Sequence, residues 1–144
     1  MRKLIGLLLI APLLGSEPAG YKYWSASELK SYAKSARTSF PDLAKFGADR
    51  AVMAHRTVSG SAELHENEAD LMVVVSGAGT LIVGGTMPHA KTTARGELRG
   101  PSIQGGARQN LSPGDIVHIP PETPHQVLLD PGAQITYFVL KVKE

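Results

Sequence analysis

The stretch PGDIVHIPPETPHQV, residues 113–127, opens on a turn, Pro113-Gly114-Asp115, and runs into a short apolar strand. Pro120 and Pro121 stop that strand, and Pro124 stands directly before His125. Proline fixes φ and withholds an N–H, so the bend is stiff and a new strand begins at His125. The chain has only five histidines. One set behind such a bend points to half of a metal site, with the other half expected about 55 to 60 residues earlier.

At 144 residues the chain has room for one domain with one core. Hydrophobic residues make up 42%, as in soluble globular proteins, and 15 glycines with 10 prolines imply many turns. Cysteine is absent, which excludes disulfides, thiolate nucleophiles and cysteine-held zinc. Any metal must therefore sit on histidine, carboxylate or amide oxygen.

The opening MRKLIGLLLIAPLLGSEPAG, residues 1–20, has a basic start at Arg2 and Lys3 and an apolar run from Leu4 to Leu14, short for a membrane span. It reads as a secretory signal, so the protein is expected to be exported, periplasmic or secreted, with no stable membrane insertion once the signal is removed. Loss of Arg2, Lys3 and Glu17 turns 15 basic against 13 acidic residues into 13 against 12. So small a net charge gives no ground for nucleic acid as a partner.

In YWSASELKSYAKSA, Ser25 and Glu28 have the spacing of a capping box. It predicts a short helix over about residues 26–36, with Leu29, Tyr32 and Ala33 on one face, packed outside the main domain. Residues 21–48 form this N-terminal helical segment, and residues 49–144 the main domain. There, RAVMAHRTV, SAELH, DLMVVVSG, GTLIVGG, DIVHIP, HQVLL and QITYFVLKV read as short strands bounded by Gly, Pro or Asp. Seven such pieces without a second helix predict an all-β fold, a small antiparallel barrel or jelly roll. Residues 70–76 are apolar on both faces except for Asp70, as for a barrel wall with a second sheet or subunit outside, and a homodimer is expected. The glycine-rich stretch from Thr86 to Asn110, with Lys91, Arg95, Arg99 and Arg108 against Glu97, reads as a long loop, either a solvated excursion or a lid whose basic residues favour an anionic ligand.

Two stretches resemble the paired motifs of the cupin superfamily. In GDIVHIPPETPHQVLL, Gly114 takes the position of the motif's first glycine, Pro120 of its proline and His125 of its histidine; Glu122 stands where glycine is usual and Leu129 where asparagine is usual. In GSAELHENEADLMVVVSG, Gly77 matches the closing glycine, Asp70 the glutamate and His65 the second histidine, while Glu63 falls where the first histidine would be. Asn67 is the rival of Glu63 if that motif is shifted by two. The resemblance covers about residues 50–142. It implies a β-barrel with one metal ion inside, here on His65, Asp70, His125 and Glu63.

The residues taken by themselves agree. Positions two apart on a strand share a face, so Glu63 and His65 can enter one cavity, with Asp70 facing back from the next strand. Two imidazoles with one or two carboxylates suit Fe, Mn, Ni or Zn and leave positions open for a small-molecule ligand or substrate. Glu63, if not a ligand, is the candidate catalytic proton carrier. His118 and His55 are expected to be structural, His89 exposed, and Tyr137, Phe138 and Leu140 core. Three functions follow: a metal-dependent enzyme of dioxygenase, isomerase or lyase type; a non-catalytic cupin that binds a sugar or small acid; and a dimeric scaffold.

Overall fold

The computed structural model describes residues 17–144. The expected signal falls largely on residues 1–16, outside the described residues. Among the described residues no helix is long and apolar enough to cross a membrane.

Among the described residues, eleven strands form two antiparallel sheets. The first comprises β1 (Asp42–Phe46), β2 (Asp49–Arg56), β11 (Ile135–Lys143), β4 (Glu68–Gly77) and β9 (Ile116–Ile119), in that spatial order. The second runs β6 (Lys91–Ala94), β7 (Glu97–Gly100), β3 (Ala62–His65), β10 (His125–Leu128), β5 (Gly79–Val83) and β8 (Ala107–Leu111). Alternation along each strand sends one face inward. Met72 and Val74 of β4, Leu81 of β5, Val127 of β10 and Tyr137 and Val139 of β11 meet there in one buried cluster.

All seven strands read from the sequence are present. The four others lie where apolar alternation fails. β6 is exposed throughout and β8 along all but Leu111. The expected loop and lid over 86–110 is therefore corrected: β6 and β7 pair as a hairpin and β8 borders β5, so much of this stretch is barrel wall. Edge strands that meet water on both sides have no reason to alternate.

The N-terminal helix is shorter than its spacing predicts. α1 spans Ala26–Ser31 and tightens into a 3-10 turn over Tyr32–Lys34. Ser25 caps it, its hydroxyl accepting the Glu28 N–H at 3.1 Å. Just before the cap, Trp24 lies against Phe138, on the outer face of β11, with ring centroids 5.7 Å apart. The outward Leu71, Val73 and Val75 of β4 are half-buried. The sheet's outer apolar face thus finds part of its cover within the chain.

Gly77 closes β4 where two elements nearly touch. Its φ is 79°, and a Cβ there would run into the carbonyl of Gln134. Gly132 has the same φ of 79° with nothing within 4 Å of a Cβ. Gly132→Ala should therefore cost only the left-handed strain, about 1–2 kcal/mol. Gly77→Ala adds a backbone collision and should cost about 3 kcal/mol or more, read from urea unfolding of both variants. Equal costs would contradict the close approach.

Candidate metal and ligand site

The prolines of the opening stretch do what their chemistry suggests. β9 ends at Ile119, and the turn through Pro120 and Pro121 places Glu122 at φ 58°. That is the backbone region glycine favours, at the position where the cupin motif carries glycine. The Glu122 N–H donates to the carbonyl of His65 at 2.7 Å, fastening this turn to the end of β3. β10 then starts at His125, opposite Glu63 on one side and Val83 on the other.

Strand register assembles the rest. Glu63 also pairs with Arg99, His65 with Glu97, and Asp70 with Lys141. These are cross-strand pairs within each sheet, and the contacts of Asp70 with the two histidines then bridge from one sheet to the other.

Glu63, His65, Asp70 and His125 do converge. Asp70 Oδ2 lies 3.5 Å from His65 Nε2 and 3.6 Å from His125 Nε2, and Glu63 Oε1 lies 3.8 Å from His125 Nε2. One donor atom from each of Glu63, His65 and His125 falls within 4.8 Å of the others. Asp70 is 5% exposed and each of the two histidines 3%. Asn67, the rival of Glu63, is exposed in the turn between β3 and β4.

Both imidazoles are oriented from behind. His65 Nδ1 stands 2.7 Å from Glu97 Oε1, and His125 Nδ1 3.0 Å from the carbonyl of Thr123. With acceptors on both Nδ1 atoms, the protons sit there and the Nε2 lone pairs face the barrel interior, the arrangement typical of metal-binding histidines. His125 Nε2 is buried and has no hydrogen-bond partner.

Sequence reasoning missed Lys141. Its Nζ lies 2.7 Å from Asp70 Oδ1 and 2.8 Å from His65 Nε2. It also missed the roles of Glu97, behind His65, and of Arg56. A signal was present: Lys141 shares the inner face of β11 with Tyr137 and Val139, and Arg56 that of β2 with Val52 and Ala54. A charge on an otherwise apolar inward face calls for a partner.

These contacts set the protonation of the site. Burial pushes the Asp70 carboxyl up, but the imidazoles of His125 and His65 and the Lys141 ammonium outweigh it and hold it far below its ordinary 3.8. For His65, burial pulls downward, yet contact with Asp70 raises it above 6.5 despite the opposing charge of Lys141, with Glu97 adding to the rise.

The donor set fits a divalent cation. Its orphaned Nε2, its two tautomers, and the 3.5–3.8 Å that separate Asp70 from both imidazoles and Glu63 from His125 suit neighbouring ligands of one ion. Such a cation would compete with Lys141 for His65 Nε2, leaving the ammonium its bond to Asp70 Oδ1.

Of the remaining histidines, His55 and His89 behave as expected, whereas His118, expected to be structural, is exposed on β9. His55 is fully buried, 2.8 Å from Thr136 Oγ1 and 2.9 Å from the Ser35 carbonyl; His118 and His89 are exposed. Tyr137 is core, but it also lines the cavity, and its hydroxyl accepts from Arg56 Nε at 2.8 Å.

The two-sheet barrel has counterparts among solved structures. A cupin protein from Bacteroides fragilis superposes with a TM-score of 0.53 at 15% identity, over 86% of this chain and 85% of that one. The fold is that of the cupins. A conserved protein from Klebsiella pneumoniae with a double-stranded β-helix domain gives a TM-score of 0.59 at 13% identity, over 85% of this chain and 90% of its own. A DMSP lyase from Ruegeria pomeroyi gives 0.53 at 16%, over 75% of this chain but only 48% of that enzyme. At such identities the likeness is one of fold. No family model matches the sequence, and no curated protein matches it.

Lys141→Met tests the fit of the site to a cation. In chelator-treated protein, removing the ammonium strands the buried Asp70 carboxylate and should cost about 3 kcal/mol or more in urea unfolding. Added Zn²⁺ or Mn²⁺ should restore most of that loss. A loss that no divalent cation repairs would speak against the fit.

Proposed function

We propose that this cupin holds a divalent transition metal on His65, His125, Asp70 and Glu63 and binds a small molecule beside it. The observation that carries the proposal is His125 Nε2, buried, oriented by Thr123 and without a donor. Leaving such a lone pair unpartnered costs about 1–3 kcal/mol, a cost that a bound cation removes. Two imidazoles with two carboxylates suit Fe, Mn, Ni or Zn.

Bound there, the metal supplies a Lewis acid that polarises a carbonyl or carboxylate oxygen. The chain's own groups prepare the place. Glu97 and Thr123 fix the two tautomers, Lys141 holds the second oxygen of Asp70, and Arg99 holds Glu63 Oε2 at 2.9 Å. Of the two roles expected of Glu63, metal donor is the one its closeness to His125 supports. Chemistry that starts from a polarised oxygen, of isomerase or lyase type, fits this arrangement, and one fold neighbour is a DMSP lyase.

Lys141 favours a second proposal. Its ammonium already neutralises Asp70, as a non-catalytic cupin that binds a small acid without metal would require. The basic, apolar start of the chain supports export to the periplasm or beyond. The half-buried outer face of β4 supports a homodimer.

Elemental analysis of protein purified without chelator decides between the two readings. The first predicts about one equivalent of transition metal per chain, largely lost in His125→Ala. No metal in the wild type and no later uptake, with uptake in Lys141→Met, would favour the second.

A further inference from the structure

The cavity of about 340 Å³ beside the donor cluster is lined by four cationic side chains, Arg50, Arg56, Arg99 and Lys141, against three carboxylates, Asp42, Glu63 and Asp70. A bound divalent metal would add to this positive excess. The rest of the lining is largely apolar, with Val52, Met72, Val127 and Val139 among its walls. Such a chamber balances its charge with an anion that also has an apolar body.

Arg56 is the group built to receive that anion. It is 7% exposed, on the inner face of β2. Two contacts fix its guanidinium. Its Nε donates to the Tyr137 hydroxyl at 2.8 Å, and its Cζ sits 4.8 Å from the centroid of the Phe40 ring. Gly60 leaves it room, because a Cβ at that position would stand 2.5 Å from Nη1. A guanidinium held this way has lost its rotamer freedom before any ligand arrives.

Its terminal nitrogens remain underused. Glu63 Oε1 is 3.6 Å from Nη2, beyond a good hydrogen bond, and Glu63 Oε2 belongs to Arg99 at 2.9 Å. Among the described residues neither terminal nitrogen of Arg56 has a hydrogen-bond acceptor within range. With Nε taken by Tyr137, what is left is the planar edge between Nη1 and Nη2. Two parallel N–H groups on such an edge match the two oxygens of a carboxylate.

We infer that the ligand of this cavity is a small organic carboxylate, its head group on the Nη1/Nη2 edge of Arg56 and its apolar body along Val52, Met72, Val127 and Val139. Arg99, half-exposed, assists the head group. Glu63 is near both Arg56 and His125, so a carboxylate bound there lies next to the metal donors. The inference rests on the proposed small-molecule site, but it does not need the metal. A neutral sugar of the same size would not match the two parallel N–H groups of that edge, which Glu63 meets only at 3.6 Å.

Calorimetric titration of the wild-type protein, metal-loaded and chelator-treated, with benzoate, phenylacetate and hexanoate and with their neutral amides tests this. At least one acid should bind about tenfold or more tightly than its amide in both preparations. Arg56→Met should abolish that preference. Tyr137→Phe, which frees the guanidinium without removing a charge, and Arg99→Gln should each reduce it several-fold, so the test survives if Arg56→Met does not fold. Acids and amides binding alike, no acid binding, or a preference unchanged in all three variants would overturn the inference. Should the protein take up no metal but keep an Arg56-dependent preference, the metal proposal fails alone. Metal uptake at His125 without carboxylate binding sinks this inference alone.

Discussion

Asp70 and Lys141 face each other across neighbouring strands, with 2.7 Å between carboxylate and ammonium inside the barrel. A carboxylate buried there cannot stay ionised without a cation beside it. The site follows from meeting that requirement. Lys141 takes Oδ1, and the two imidazoles face Oδ2. Glu63 has Arg99 and Arg56 beside it and Glu97 has Arg99, with His65 shared between Glu97 and Lys141. Only His125 Nε2 is left over among these groups. The unpartnered lone pair of His125 and the tightly held carboxylate of Asp70 therefore point at the same place.

Strand register makes this economical. Glu63 with His125, Glu63 with Arg99, His65 with Glu97 and Asp70 with Lys141 are all direct cross-strand partners. No long loop has to fold over the centre to complete it. Because side chains on a strand alternate, a slip of one residue would send a strand's whole set to the outside. The stability of the sheets and the integrity of the site thus depend on one register. The same inner faces continue into apolar walls, so the charged cluster opens onto a chamber suited to a ligand with one charged end.

Much of this was legible in the sequence. The proline-stiffened bend announced His125, and apolar alternation marked seven strands because each has an inward face. The E-x-H spacing of Glu63 and His65 put both on one side of β3. What escaped has a common cause. β6, β7 and β8 lie at or near a sheet edge, where exposed polar side chains carry no periodic signal. Lys141 and Arg56 were passed over because each sits at or near the end of a mainly apolar strand, and their partners come from strands distant in sequence. The helix ended early because its last turn tightens into 3-10 geometry after Ser31, which spacing alone does not forecast.

Convergence of the four donors on one cation is most directly tested by a crystal structure of protein grown with Mn²⁺ or Zn²⁺, with data collected across the metal's absorption edge. The expected result is an anomalous peak bonded to the Nε2 atoms of His65 and His125 and to Asp70 and Glu63, with Lys141 moved off His65. A metal bound elsewhere, or a metal-free centre with Lys141 still on His65, would contradict it.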